Sequence, residues 1–198
     1  MKYINQLDYP HWLYVTRTSL EDGEKEKGKT TTVKSSGCDI CSAIMIADRL
    51  IPNCDFGLKE AIDLSYQVKA NHTIGTDYDL YAPALAEKLG LRLEMTNAIE
   101  RLRYCVRTGG AAVLNVGGDY EGHVGIFTHR GHYIAVISEN VDGRFVVLDP
   151  AYELNKFEEE GRYGKVEVKD HEVILCDEQT LAEEVANRSP GLFLFWRA

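Results

Sequence analysis

The 198-residue sequence has no apolar run approaching the roughly 18 residues that a membrane-spanning helix needs. Its opening, Met1-Lys2-Tyr3-Ile4-Asn5-Gln6, lacks the apolar stretch of a secretory signal. As written, the chain is expected to be cytoplasmic, or secreted if a signal was removed. Basic residues are in deficit, 22 Lys and Arg against 31 Asp and Glu, for a net charge of -9. Such a surface repels phosphate backbones, so nucleic-acid and anionic-membrane partners are not expected, although a local basic patch remains compatible with it. Cysteine is sparse and unpaired in pattern. Cys38, Cys41, Cys54, Cys105 and Cys176 are odd in number and irregular in spacing, which excludes a disulfide framework. Each thiol is therefore a core residue, a metal ligand or a nucleophile. What is present is ordinary globular material, 44% hydrophobic and 27% charged. A chain of this length buries roughly 70% of its unfolded surface and can build its own core.

Patterning divides the chain in two. Residues 1–14 carry aromatics without helical period and read as an extended arm over a core. Residues 21–32 are charged, then threonine-rich, and read as a solvated loop. From Cys38 to Leu50, apolar residues at positions 40, 43, 44, 47 and 50 predict a helix. Further helices are predicted over about 57–70, 79–89 and 96–108, the one over 79–89 ending at Gly90 as a C-terminal cap. After Gly109-Gly110 the pattern turns to strands. These are Ala111 to Val116, Tyr133 to Ile137, Arg144 to Leu148, Lys165 to Val168, Glu172 to Leu175 and Leu192 to Trp196, with one helix over Asp177 to Asn187. Helices first and strands later predict an α+β fold rather than alternating α/β. One domain is expected over 1–198, with an arm and helical lobe to about 110 and a mainly β lobe beyond.

Cys38 falls on the first turn of its predicted helix, where free N–H groups and the helix dipole favour thiolate. A thiolate nucleophile needs a histidine, and the histidine needs an acceptor to orient it. His132 opens an apolar strand, and Asp149 ends the return strand just before Pro150. A two-residue Asp142-Gly143 turn sets Asp149 opposite Val136, roughly 13 Å along from His132. A four-residue loop sets it opposite His132 itself, so bringing the pair together needs the longer loop. Two rival constellations share these residues. Cys38-x-x-Cys41 suits a redox pair at a helix start. Joined to His129-x-x-His132, it has the ligand types of a Cys₂His₂ zinc site. His11, His72, His123 and His171 lie in polar contexts and read as solvated surface residues. Gly117-Gly118-Asp119-Tyr120-Glu121-Gly122 lacks the lysine and helix of a phosphate loop and reads as a flexible rim.

The run Ser36-Gly37-Cys38-Asp39-Ile40-Cys41-Ser42-Ala43-Ile44-Met45-Ile46 resembles the nucleophile helix of the bacteriocin-processing papain-like cysteine peptidases, the double-glycine-leader peptidases. Gly131-His132-Tyr133-Ile134 and Asp149-Pro150 resemble their histidine strand and strand end. Asn5-Gln6 with Asp8 and Trp12 resembles the opening of their soluble members, and Gly75-Thr76 with Leu85-Ala86-Glu87-Lys88-Leu89-Gly90-Leu91 their middle. The resemblance implies a papain-like fold and thiol-dependent cleavage of a peptide or amide bond in a peptide or protein substrate, with no cofactor or metal. It implies Cys38 as nucleophile, His132 as base and Asp149 as orienter. Gln6 and the Cys38 backbone N–H become the oxyanion donors. Asp39 and Ile40 stand where that family has Gly and Pro. They motivate an alternative, a catalytically weak papain-like fold kept as a binding module.

Overall fold

The computed structural model describes residues 2–16, 31–71, 75–170 and 173–198. The charged stretch 21–30 and the histidines His72 and His171 lie outside the described residues. Seven strands form one antiparallel sheet: β1 (Leu91–Thr96), β2 (Ala111–Val116), β3 (His132–Glu139), β4 (Phe145–Leu148), β5 (Val166–Val168), β6 (Ile174–Cys176) and β7 (Leu192–Arg197). Their spatial order is β1-β7-β2-β3-β4-β6-β5. The last strand therefore inserts near one edge, pairing with both β1 and β2.

Among the described residues, six α-helices accompany the sheet: α1 (Val33–Ser36), α2 (Cys38–Leu50), α3 (Leu58–Gln67), α4 (Tyr78–Leu89), α5 (Glu100–Arg107) and α6 (Glu178–Val185). They cover both of its faces. On one side Ile40, Ile44, Leu64 and Leu85 pack with Val113, Ala135, Phe193 and Phe195. On the other, Leu102, Leu181 and Val185 pack with Leu114, Val136, Leu194 and Trp196. Alternate residues of β7 thus serve opposite cores, the two-residue period that a strand imposes. With both faces covered, the central strands are largely apolar, as β2 shows with Asn115 its one polar residue.

The expected helices and strands form, and β1, the short α1 and a 3-10 turn at Gln6–Asp8 are added to them. The helix expected over 96–108 begins only at Glu100, and β1 precedes it. Leu91, Leu93 and Met95 alternate with Arg92, Glu94 and Thr96, a period-two signal that sits too close to the end of α4 to stand out. The α4 cap is as expected, with Gly90 at φ 62°.

The β3–β4 hairpin takes neither expected register. Ala135 faces Leu148 and Val136 faces Val147, then a bulge after Val136 shifts the pairing so that Glu139 faces Phe145. The loop closes with the Gly143 N–H donating to Asn140 O at 3.1 Å, and Gly143 takes φ 80°, a conformation glycine adopts freely. Continued inward, this register puts Asp149 across from Ile134. That is the same face as His132 and two residues from it, a diagonal that side chains still span.

Gly37 joins α1 to α2 with no room for a side chain. A Cβ there would lie 2.7 Å from the Val33 carbonyl oxygen. Gly37→Ala is therefore expected to cost about 1–3 kcal/mol by overpacking, read as a lower urea midpoint at unchanged slope.

Candidate active site

His132 and Asp149 meet at one end of the sheet. His132 Nε2 lies 2.7 Å from Asp149 Oδ1, and both side chains are buried. This leaves the His132 Nδ1 as the ring nitrogen without a hydrogen-bond partner. Asp149 accepts two more bonds. The Ala151 N–H donates to Oδ1 at 2.8 Å, and Lys156 Nζ donates to Oδ2 at 2.6 Å. Lys156 also donates to the Ala151 carbonyl. Burial alone would raise the Asp149 carboxyl. Lys156 and His132 outweigh it and hold Asp149 well below the usual carboxylate range. Burial lowers His132, Asp149 works against that, and Lys156 adds to it. Lys156 is thus part of this site, and the sequence gave no warning of it. It lies seven residues past Asp149 in an irregular segment without periodicity.

Cys38 is partly exposed at the first position of α2. The backbone N–H groups of Tyr133 and Asp39 lie near its thiol and favour the thiolate. Tyr133 directly follows His132, so the nucleophile candidate abuts the strand that carries the histidine. The side-chain hydroxyl of Ser42, one turn along α2, donates to the Tyr133 carbonyl at 3.2 Å and fixes the helix on the strand from the other side. The thiol makes no hydrogen bond to His132. The structure joins His132 to Asp149 and sets Cys38 against their strand, with the thiol–imidazole contact open.

The helix start does not depress the thiol. Burial, then the Asp39 charge, push Cys38 well above its ordinary value, against the pull of the nearby Tyr133 and Asp39 N–H groups. The Asp39 carboxylate turns inward and is fully buried. It accepts from the Thr76 N–H at 2.7 Å and the Ile40 N–H at 2.6 Å, yet burial still pushes it up to about 6.

Gln6 is buried beside the approach to Cys38. Its Nε2 donates to the Lys34 carbonyl at 2.8 Å, while its Oε1 has no partner. The arm holds both sides of the site at once. The Gln6 N–H donates to Pro150 O at 2.7 Å, the Tyr3 hydroxyl to Asp149 O at 2.7 Å and Asn5 Nδ2 to Tyr152 O at 2.8 Å.

The zinc constellation does not assemble. His129 faces away, with Nδ1 3.0 Å from Asp119 and Nε2 3.0 Å from Glu159. Among the described residues, no three His, Cys, Asp or Glu side chains converge as metal ligands. Cys38 and Cys41 are both free thiols, and Cys41 is fully buried. His123, expected at the surface, is instead largely buried and pairs with the fully buried Glu184 at 2.7 Å. Glu184 also accepts from the Ile126 and Phe127 N–H groups, so it pins the glycine-rich segment that leads to His132.

Among solved structures, the fold is similar to that of a candidate C39-like peptidase from Bacillus anthracis. The TM-score is 0.53 and the identity 12%, over 82% of this chain and 89% of that chain. The fold is α+β and papain-like, and the tie to C39-like peptidases is a distant structural relation. No family model matches the sequence, and no curated protein does.

Asp39 has an energetic signature. Its folded value of about 6 lies above its ordinary 3.8. It therefore favours the fold below about pH 4, and that advantage is gone above about pH 6, a swing of about 3 kcal/mol. Asp39→Asn is expected to gain stability relative to the parent between about pH 4 and pH 7.5, measured by urea unfolding at both. The same variant should alkylate faster at Cys38 with iodoacetamide near pH 7.5, by roughly 3- to 10-fold, because a repelling charge is gone.

Proposed function

We propose that the protein is a cysteine peptidase or amidohydrolase, with Cys38 as nucleophile, His132 as base and Asp149 as orienter. One observation carries the reading: a buried imidazole, oriented through Nε2 by an ionised carboxylate, with Nδ1 unengaged, on the strand that the Cys38 thiol abuts. That is the set of parts thiol-dependent acyl transfer needs.

The resting pair is neutral thiol and neutral imidazole, since Cys38 is held up and His132 down. Attack is then coupled to proton transfer from Sγ to His132 Nδ1, with a small closing movement of α2 against β3. The new S–C bond forms as the carbonyl becomes an oxyanion. The Cys38 N–H, at a helix position without an intrahelical acceptor, and the second Gln6 amide N–H are its donors. The intermediate collapses, the C–N bond breaks, and the His132 proton goes to the leaving amine. Water then attacks the thioester, giving its proton to His132 as the S–C bond breaks. A cavity of about 490 Å³ opens beside His132, lined by Phe127, Ala151, Asn155, Lys156 and Arg162. It gives the leaving fragment and the water a route to the imidazole.

A second reading is favoured by the raised thiol and the open thiol–imidazole contact, namely a papain-like binding module with an idle cysteine. Incubation with a mixed peptide library, read by mass spectrometry, separates the two. Peptidase function predicts cleavage that falls by at least about 10³-fold in both Cys38→Ala and His132→Ala. Absence of cleavage in the parent, or equal cleavage in the variants, favours the binding module.

A further inference from the structure

At the opposite end of the sheet from His132 lies a pocket of about 500 Å³ lined by Arg49, Arg92, Arg197, Tyr104, Thr108 and Trp196. It forms where α2 ends, β1 begins and β7 ends. We propose that this pocket binds a small polyanion carrying two or more linked phosphate groups.

Pairing separates these arginines from several others, although Arg130 and Arg188 also pair with no carboxylate among the described residues. Arg101, Arg103, Arg107 and Arg144 each engage a carboxylate: Glu94, Glu139 with Glu178, Glu139, and Glu167. Among the described residues, Arg49, Arg92 and Arg197 engage none. In a chain of net charge -9, three uncompensated guanidiniums in one pocket are a local reversal of sign. The nearby carboxylates Glu94 and Glu139 are already committed to other arginines.

The cations are also held in place. Arg49 Nε donates to the Ile137 carbonyl at 3.1 Å, and Arg197 Nε donates to the Leu50 carbonyl. Both use Nε alone, so their Nη groups keep the paired donors that match a phosphate oxygen pair. Arg92 lies over the Trp196 ring, 4.5 Å from its centroid, and makes no hydrogen bond. Trp196 is itself fixed, its Nε1 donating to the Thr108 hydroxyl at 2.9 Å. Three guanidiniums, two anchored through backbone carbonyls and one on a ring, suit a ligand with more than one negative group. A single carboxylate would leave most of the donors unused. Trp196 is buried under Arg92 and offers no free face for a base, so the linked phosphates are the recognised part.

Trp196 beside Arg92 supplies the readout in the full chain. With Trp12→Phe removing the other tryptophan, emission is titrated with inorganic pyrophosphate, tripolyphosphate and ADP at matched ionic strength. Saturable binding is expected, tighter for tripolyphosphate than for pyrophosphate. Arg92→Met should weaken it by about tenfold or more, and Arg49→Met likewise. Arg92 is exposed and makes no hydrogen bond, so its replacement leaves the fold intact, which circular dichroism checks. ADP binding as pyrophosphate does means the phosphates alone are read. ADP binding at least tenfold tighter means a nucleotide is the source, and both results support the site. No saturable change by about 10 mM of any of the three, or equal affinity in the arginine variants, overturns it.

Discussion

The buried carboxylate of Asp149 is the constraint on which the rest of the site depends. It is fully buried and accepts from an imidazole, an ammonium and a backbone N–H. A lone buried carboxylate is costly, and its partners must all be present for the fold to keep it charged. Lys156 compensates the charge, and Ala151 fixes its direction. His132 then donates a fixed hydrogen bond through Nε2, which leaves Nδ1 as the other ring nitrogen. The arrangement has a consequence for the imidazole. A carboxylate already paired with a lysine stabilises an imidazolium less than a bare one would, in keeping with a histidine held below its ordinary value. On the proposed reading, the site orients a neutral base.

The second constraint is mechanical. The nucleophile candidate sits at the head of a helix on one face of the sheet, and the histidine lies at the strand end. The N-terminal arm ties these parts together. Tyr3, Asn5 and Gln6 bond the turn after Asp149, while the Gln6 side chain bonds the carbonyl of Lys34 just ahead of Cys38. A few residues of extended chain thus set the width of the cleft. Asp39 works from the helical side, holding Thr76 through its buried carboxylate while repelling charge on the adjacent thiol. Anchoring the loop and damping the thiol come from the same carboxylate.

Much of this was legible in the sequence because the residues involved sit at the ends of periodic elements. Cys38 opens a helix with a clear apolar stripe, and His132 and Asp149 bound two apolar runs. Pattern alone places all three near element termini. The register was not legible. A β-bulge after Val136 is a backbone event with no residue signature, and it converts the expected facing pair into a diagonal one. Lys156 was illegible for a similar reason, since irregular segments position side chains through tertiary contacts rather than period. His123 misled because a polar local sequence hides its burial against Glu184, 61 residues away. The inward turn of Asp39 was not legible either, since it is set by a tertiary partner, the Thr76 N–H, 37 residues away. The Cys38 thiol is pushed up rather than down, because burial and the adjacent Asp39 charge both disfavour the thiolate.

The most direct measurement of the central claim is labelling of the full chain by a peptidyl vinyl sulfone, read by intact mass and peptide mapping. The account predicts a single adduct on Cys38 that forms in the parent and is lost in His132→Ala, while iodoacetamide still reaches the thiol in that variant. A probe that labels Cys38 equally with and without His132, or that fails to label it at all, would contradict a nucleophile and base acting together.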